Sequence, residues 1–257
     1  MTARKSTPFK KETKKEKVVE HTLTSSKVVK DKEELKPHQK PVSNFLRQND
    51  VSVLIADAGC AKDFVQMYRA IEGLKTKEFE RIIICKPIIE AGVGAGIGFL
   101  PGSIEEKTSV YLKSFYDSVD KIVGKEHSNP IKAKMQFEHV GFQRGNTFPD
   151  YSIIILSELQ NLTASQAHTY ITRLPQTSKM FISADSSQSD LGMKSGLNDF
   201  LESISGIENY GIAILDSEKH QMRRKEITQI TKKYNEIQKR KGNFFTLDTK
   251  RFEYIEL

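Results

Sequence analysis

Val51-Ser52-Val53-Leu54-Ile55, followed at once by Ala56-Asp57-Ala58-Gly59-Cys60-Ala61-Lys62-Asp63, is the stretch that decides the fold. An apolar run, a loop of small residues, a lysine and an amphipathic stretch from Phe64 to Leu74 form the strand–loop–helix context of a phosphate-binding loop. The usual pattern is G-x-x-x-x-G-K-[ST]. Here Ala56 stands for the first glycine, Ala61 for the second and Asp63 for the magnesium-binding hydroxyl. Only Gly59 and Lys62 are ordinary, and the loop alone also reads as a plain strand-to-helix turn.

A second element bears on the same chemistry. Tyr151-Ser152-Ile153-Ile154-Ile155-Leu156 reads as a fully buried strand and runs into Ser157-Glu158-Leu159-Gln160-Asn161. In a P-loop NTPase this strand ends in two acids, one supporting Mg²⁺ and one orienting the attacking water. Ser157 stands at the first position and Glu158 at the second. The two departures mirror each other: Asp63 replaces a hydroxyl, and Ser157 replaces a carboxylate. If both face one metal, the oxygen ligands that magnesium requires are kept, with the partners exchanged. Independent decay of the two positions is the alternative.

The chain has 257 residues and a formal net charge of +7, enough length for one substantial core with tails. Residues 1–36 hold 11 basic and 6 acidic side chains, and residues 219–257 hold 11 and 5. The stretch between is mildly acidic. Basic ends attract polyphosphates through counterion release, or serve only as solvated tails. No apolar run approaches the roughly 20 residues that span a bilayer, and the basic N-terminus lacks a secretory apolar segment. Cys60 and Cys85 lie at strand ends and read as reduced thiols, so a cytoplasmic protein is expected.

Residues 1–35 read as a disordered basic tail, rich in Lys, Glu, Thr and Ser. Helices are expected over 42–48, 64–74, 110–123 and 164–174, the last with Thr163 as N-cap. Strands are expected over 51–55, 81–85, 134–140, 151–156, 179–183 and 211–215. Short buried strands alternating with helices argue an α/β fold with a parallel sheet. Ligands of such sheets gather beyond the carboxyl ends of the strands. Ala56–Asp63, Lys86–Glu90, Ser157–Gln160 and Ala184–Gln188 all fall there, as one composite site would.

With these segments in order, the chain resembles the PhoH family of P-loop ATPases, related to the superfamily 1 helicase core. Lys86-Pro87-Ile88-Ile89-Glu90-Ala91-Gly92 and Gly98-Phe99-Leu100-Pro101-Gly102-Ser103-Ile104-Glu105-Glu106-Lys107 are similar to that family's R-P-x-x-E-A-G…G-F-L-P-G-x-x-x-E-K. Phe142-Gln143-Arg144-Gly145-Asn146-Thr147 resembles F-x-R-G-x-T, and Ser157–Asn161 resembles D-E-A-Q-N. Ala184-Asp185-Ser186-Ser187-Gln188-Ser189-Asp190-Leu191 resembles G-D-x-x-Q-x-D-L, and Lys194-Ser195-Gly196-Leu197 also fits. The resemblance covers about residues 36–235, leaving 236–257 as a basic C-terminal extension. It departs at both loop glycines, at Asp63, Ser157 and Lys86, and at an insertion, Val93–Gly96. A phage-encoded member, acting in the host cytoplasm, would suit the size and altered motifs.

The resemblance implies a RecA-like or superfamily 1 helicase-like parallel sheet with flanking helices. It also implies ATP and Mg²⁺ as cofactors, ATP hydrolysis, RNA or single-stranded nucleic acid as partner, and a homo-oligomer such as a hexameric ring. Gln39 would read the adenine edge, unless it is a surface glutamine in a turn. Backbone amides of Ala58, Gly59, Cys60, Ala61, Lys62 and Asp63 would cradle phosphates at the helix N-terminus. Lys62 would neutralise β/γ oxygens and Glu158 would orient water. Asp63 and Ser157 would hold Mg²⁺, although Asp63 also suits the helix dipole. Gln160 and Gln188 would sense the γ-phosphate, and Arg144 with Arg223 or Arg224 would contact phosphate or act as an arginine finger. A catalytically silent scaffold that docks nucleic acid or a partner protein is the other reading.

Overall fold

A computed structural model describes residues 33–87, 104–138, 147–224, 226–241 and 244–257. Seven strands form one sheet: β1 (Val51–Ile55), β2 (Arg81–Cys85), β3 (Met135–Glu138), β4 (Ser152–Leu156), β5 (Lys179–Ala184), β6 (Tyr210–Ile214) and β7 (Ile255–Glu256). Their order is β3-β2-β4-β5-β1-β6-β7, and every pairing is parallel.

The continuous apolar runs have a direct cause: the sheet is covered on both faces, so successive side chains all meet protein. Leu54, Ile82, Ile84, Ile153, Ile155 and Phe181 point to one core. There they meet helices α1 (Gln39–Gln48), α2 (Lys62–Lys75) and α3 (Ile104–Val123), with Ile131 of α4 (Lys125–Lys132). Val51, Val53, Ile83, Ile154, Met180 and Ile182 point the other way, onto α5 (Ala164–Ile171) and α6 (Leu197–Ile204). Two helices follow β6, the four-residue α7 (Ser217–His220) and the fifteen-residue α8 (Glu226–Arg240).

The α/β class and the six expected strands are as the sequence indicates, with ends shifted by a residue or two; of the expected third strand, residues 139–140 lie outside the described residues. Helix α1 begins three residues early, since Pro41 in a first turn loses no needed hydrogen bond. Thr163 caps α5 as expected, within a reciprocal capping box with Gln166. Helices α4, α6, α7 and α8 and strand β7 were not anticipated. The segment set apart as a C-terminal extension supplies β7 to the sheet and Phe245 and Phe252 to the second core.

Register carries three strand ends to one place. Leu156 pairs with Ile182 and Ile55 with Ala184, so Ser157 emerges beside Ser183, and Ala56 beside Asp185. Beyond each end the chain leaves the sheet at the same level, Ala56 N still donating to Ala184 O at 3.1 Å.

Candidate functional site

A cleft of about 450 Å³ opens above these strand ends. Residues 58–61 of the β1–α2 loop and Lys62, Asp63 and Phe64 of α2 form one wall, with Glu158, Ser183, Asp185, Gln188 and Arg223 around them. The loop turns through two left-handed residues, Gly59 at φ 92° and Ala61 at φ 57°. Glycine takes that conformation freely, but an alanine there is strained by its Cβ, on the order of 1 kcal/mol. Ala61 therefore departs from the glycine pattern while keeping the backbone shape that glycine would take. Lys62 Nζ curls back to donate to the carbonyls of Ala56 at 2.6 Å and Asp57 at 3.1 Å.

Asp63, in the first turn of α2, sits on the cleft floor. Ser183 Oγ donates to Asp63 Oδ1 at 3.1 Å and lies 3.4 Å from Ser157 Oγ. Asp63 and Ser157 are therefore linked through a third hydroxyl, that of Ser183, which sequence reasoning missed. Burial pushes the Asp63 carboxyl up, Lys62 opposes this, and Glu158 reinforces it. Removing a carboxylate from water costs free energy that a cation or hydrogen bonds must offset.

Glu158 is itself in the left-handed conformation, at φ 64°. Its Oε2 accepts from Gln160 Nε2 at 2.6 Å, and Lys86 Nζ stands 3.8 Å from Oε1. The other end of the same carboxamide, Gln160 Oε1, accepts from Asp185 N at 2.9 Å. Gln160 is wholly buried, does not line the cleft, and has both ends engaged. It stands behind the wall, where it joins Glu158 to the end of β5.

Asp185 Oδ1 accepts from Ser187 N and Oγ, at 3.0 and 2.6 Å, while buried Oδ2 has no hydrogen-bond partner. Burial pushes this carboxyl up as well, with Lys62 opposing. The oxygen donors lining the cleft are thus carboxylates of Asp63, Glu158 and Asp185 and the hydroxyl of Ser183, with the buried hydroxyl of Ser157 one side chain behind them. A hard cation such as Mg²⁺ selects that chemistry. Among the described residues no three His, Cys, Asp or Glu side chains gather as a cluster, so a metal here would depend on the hydroxyls.

The remaining expected residues divide. Gln188 and Arg223 line the cleft, whereas Arg224, one residue on, does not. Gln39 is buried at the start of α1; its Oε1 accepts from Lys36 N at 3.0 Å and its Nε2 lies 4.0 Å from Met222 Sδ. Since Met222 lines the cleft and Gln39 does not, Gln39 stands one side chain behind the wall. Arg144 and the residues from 88 to 103 lie outside the described residues. Among the described residues no helix is long and apolar enough to cross a membrane.

A parallel α/β sheet whose β1–α2 loop carries a lysine, facing a strand-end glutamate, defines a P-loop type of domain. A family model described as PhoH-like protein matches residues 33–235, and the chain belongs to the PhoH family. It is 35% identical over 175 residues to a PhoH-like protein of Bacillus subtilis, covering 66% of this chain and 54% of that protein. It is 32% identical over 208 residues to a PhoH-like protein of Mycobacterium leprae, covering 78% and 58%. Protein PhoH of Escherichia coli K12 is 35% identical over 162 residues, covering 61% and 45%. The chain spans about half the length of the curated relatives it matches.

Proposed function

We propose that this chain is an Mg²⁺-dependent ATP-binding protein that hydrolyses ATP and couples turnover to RNA or single-stranded nucleic acid. One observation carries the reading: Lys62, Glu158 and Arg223 meet in one cleft at the carboxyl ends of three adjoining strands. Backbone amides at the start of α2 would bind phosphates and Lys62 would leave its loop carbonyls for them. Asp63, with the hydroxyls of Ser183 and Ser157, would hold Mg²⁺, which when bound would neutralise phosphate charge. Glu158, its carboxylate oriented by Gln160, would accept a proton from water, and Arg223 would face the leaving phosphate.

The basic ends support a polyanionic partner. Assembly into a homo-oligomeric ring belongs to the same proposal and rests on kinship alone. Division into a tail (1–35), an ATPase domain (36–235) and an extension (236–257) is proposed for function, though β7, Phe245 and Phe252 tie the extension to the sheet and its second core. A silent scaffold is favoured by one feature, the carboxyl of Asp63 placed where phosphate-bound metal would have to offset it.

Nucleotide binding with and without Mg²⁺, then phosphate release with and without RNA, separates the two readings. Tight Mg²⁺-dependent binding with RNA-stimulated release is expected. Absence of binding at millimolar ATP would sink the ATPase and leave the scaffold.

A further inference from the structure

The segment between β6 and α8 lies across the phosphate loop and holds three consecutive loop residues. Ser217 Oγ donates to Asp57 Oδ2 at 2.7 Å, Gln221 Nε2 to the Ala58 carbonyl at 3.2 Å, and Met222 N to the Gly59 carbonyl at 3.0 Å. In a trans peptide the C=O and the following N–H point in opposite directions. With the carbonyls of Ala58 and Gly59 turned to the strap, the amides of Gly59 and Cys60 point away from it. A phosphate cradle needs that polarity.

Gln221 does more than hold one carbonyl. Its Oε1 accepts from Arg223 N at 3.1 Å, so one carboxamide joins the loop to the backbone of the arginine that lines the cleft. Its side chain also fills the space over Gly59, where an added Cβ would stand 2.2 Å from Oε1. Nε2 lies 3.5 Å from Thr228 Oγ1 of α8, which ties the strap to that helix too.

We propose that Gln221 is a positioning residue for this site: it fixes the Ala58–Gly59 peptide and Arg223 relative to one another, so that cradle and arginine move as one unit. The proposal rests on the nucleotide-binding reading above. A residue that merely filled space over Gly59 would be replaced by methionine at little cost, because the volume is nearly kept. The two hydrogen bonds would not survive that change.

The test uses the full chain with Gln221→Met, Gln221→Glu, Arg223→Ala, Gln221→Met with Arg223→Ala, and Lys62→Ala. Gln221→Met should quicken hydrogen exchange at amides 57–61 in nucleotide-free protein and weaken Mg²⁺·ATP binding about three- to tenfold. Its loss should overlap that of Arg223→Ala, the double variant losing less than the product of the two. Gln221→Glu keeps the acceptor for Arg223 N but not the donor to Ala58. It should exchange as fast as Gln221→Met yet recover part of the affinity, and it stands in if the methionine variant does not fold. Unchanged loop exchange, or losses that simply multiply, would overturn the proposal. Wild-type ATP affinity in Lys62→Ala would instead overturn the nucleotide reading, and loop exchange would then decide Gln221 alone.

Discussion

Ser183 donates its hydroxyl to Asp63 at 3.1 Å, tying the end of β5 to the first turn of α2. Ser157, the residue whose loss of a carboxylate mirrors the gain at Asp63, lies 3.4 Å from that same hydroxyl. Exchanged partners at one point can substitute for each other only if both act on whatever binds there.

If they share a magnesium ion, Asp63→Ser and Ser157→Asp should each impair Mg²⁺-dependent ATP binding. The first leaves hydroxyls alone, and the second crowds two carboxylates. The double variant restores one of each and should recover much of the affinity, with a coupling of about 0.5–3 kcal/mol. Titration of the four proteins at fixed free Mg²⁺ closes the cycle. Additive effects would separate the two positions.

Glu158→Gln should keep ATP affinity and lower phosphate release on the order of tenfold or more, because the carboxamide keeps the shape and loses the basicity. Gln160→Leu reaches the same carboxylate indirectly. It strands Asp185 N without its 2.9 Å acceptor and should cost about 1–3 kcal/mol in denaturant unfolding. Unaltered turnover in the first variant would take Glu158 out of the chemistry.

Ala61 at φ 57° makes a stability test without nucleotide. Ala61→Gly should raise unfolding free energy by up to about 1 kcal/mol, relief of the left-handed strain outweighing the greater freedom of unfolded glycine. Gly59→Ala should do the reverse, since φ 92° and contact with Gln221 both oppose a side chain. Equal midpoints for wild type and both variants would show that the loop stores no strain.

His38 and His220 meet edge to face with ring centroids 5.2 Å apart. Burial first, then Lys36 and Lys219 for His38, and His38 itself for His220, holds both below the ordinary value of 6.5; Leu257 and Asp216 oppose this at His220. Groups with lowered folded values favour the native state above the unfolded value, and that advantage is lost as pH falls through the lowered ones. Thermal midpoints should therefore drop as pH falls below about 6.5, and His220→Phe should flatten the drop. Parallel curves for the two proteins would remove this pair as the cause.

What the sequence made legible follows from where information is local. Strands β1, β2, β4 and β5 show as largely apolar runs, broken only by small or terminal polar residues, because both faces of the sheet are covered. Lys62 and Glu158 occupy fixed offsets from strand ends, so a motif locates them. Helix α8 escaped because it buries almost nothing: Ile230, Tyr234 and Ile237 remain exposed, and polar residues dominate it. Strand β7 has two residues and exists only through β6. Ser183 and Gln221 could not be assigned to the site before strand order was known. No local pattern marks a serine on β5 as the partner of Asp63, or a glutamine beyond β6 as the partner of Ala58.

The strand order also dictates when this site can come into being during synthesis. Val51 pairs only with Met180 and Tyr210, so the strand that launches the phosphate loop emerges early and waits for partners made much later. Such non-local pairing slows folding and leaves edges open meanwhile. β2 is in the same position toward β4, whose first paired residue is Ser152. Nascent chains halted before β5 should accordingly remain cleavable by protease between β1 and α2. Chains released after β6 and the strap should not, because only then does the loop acquire both the strand beside it and the segment that holds its carbonyls.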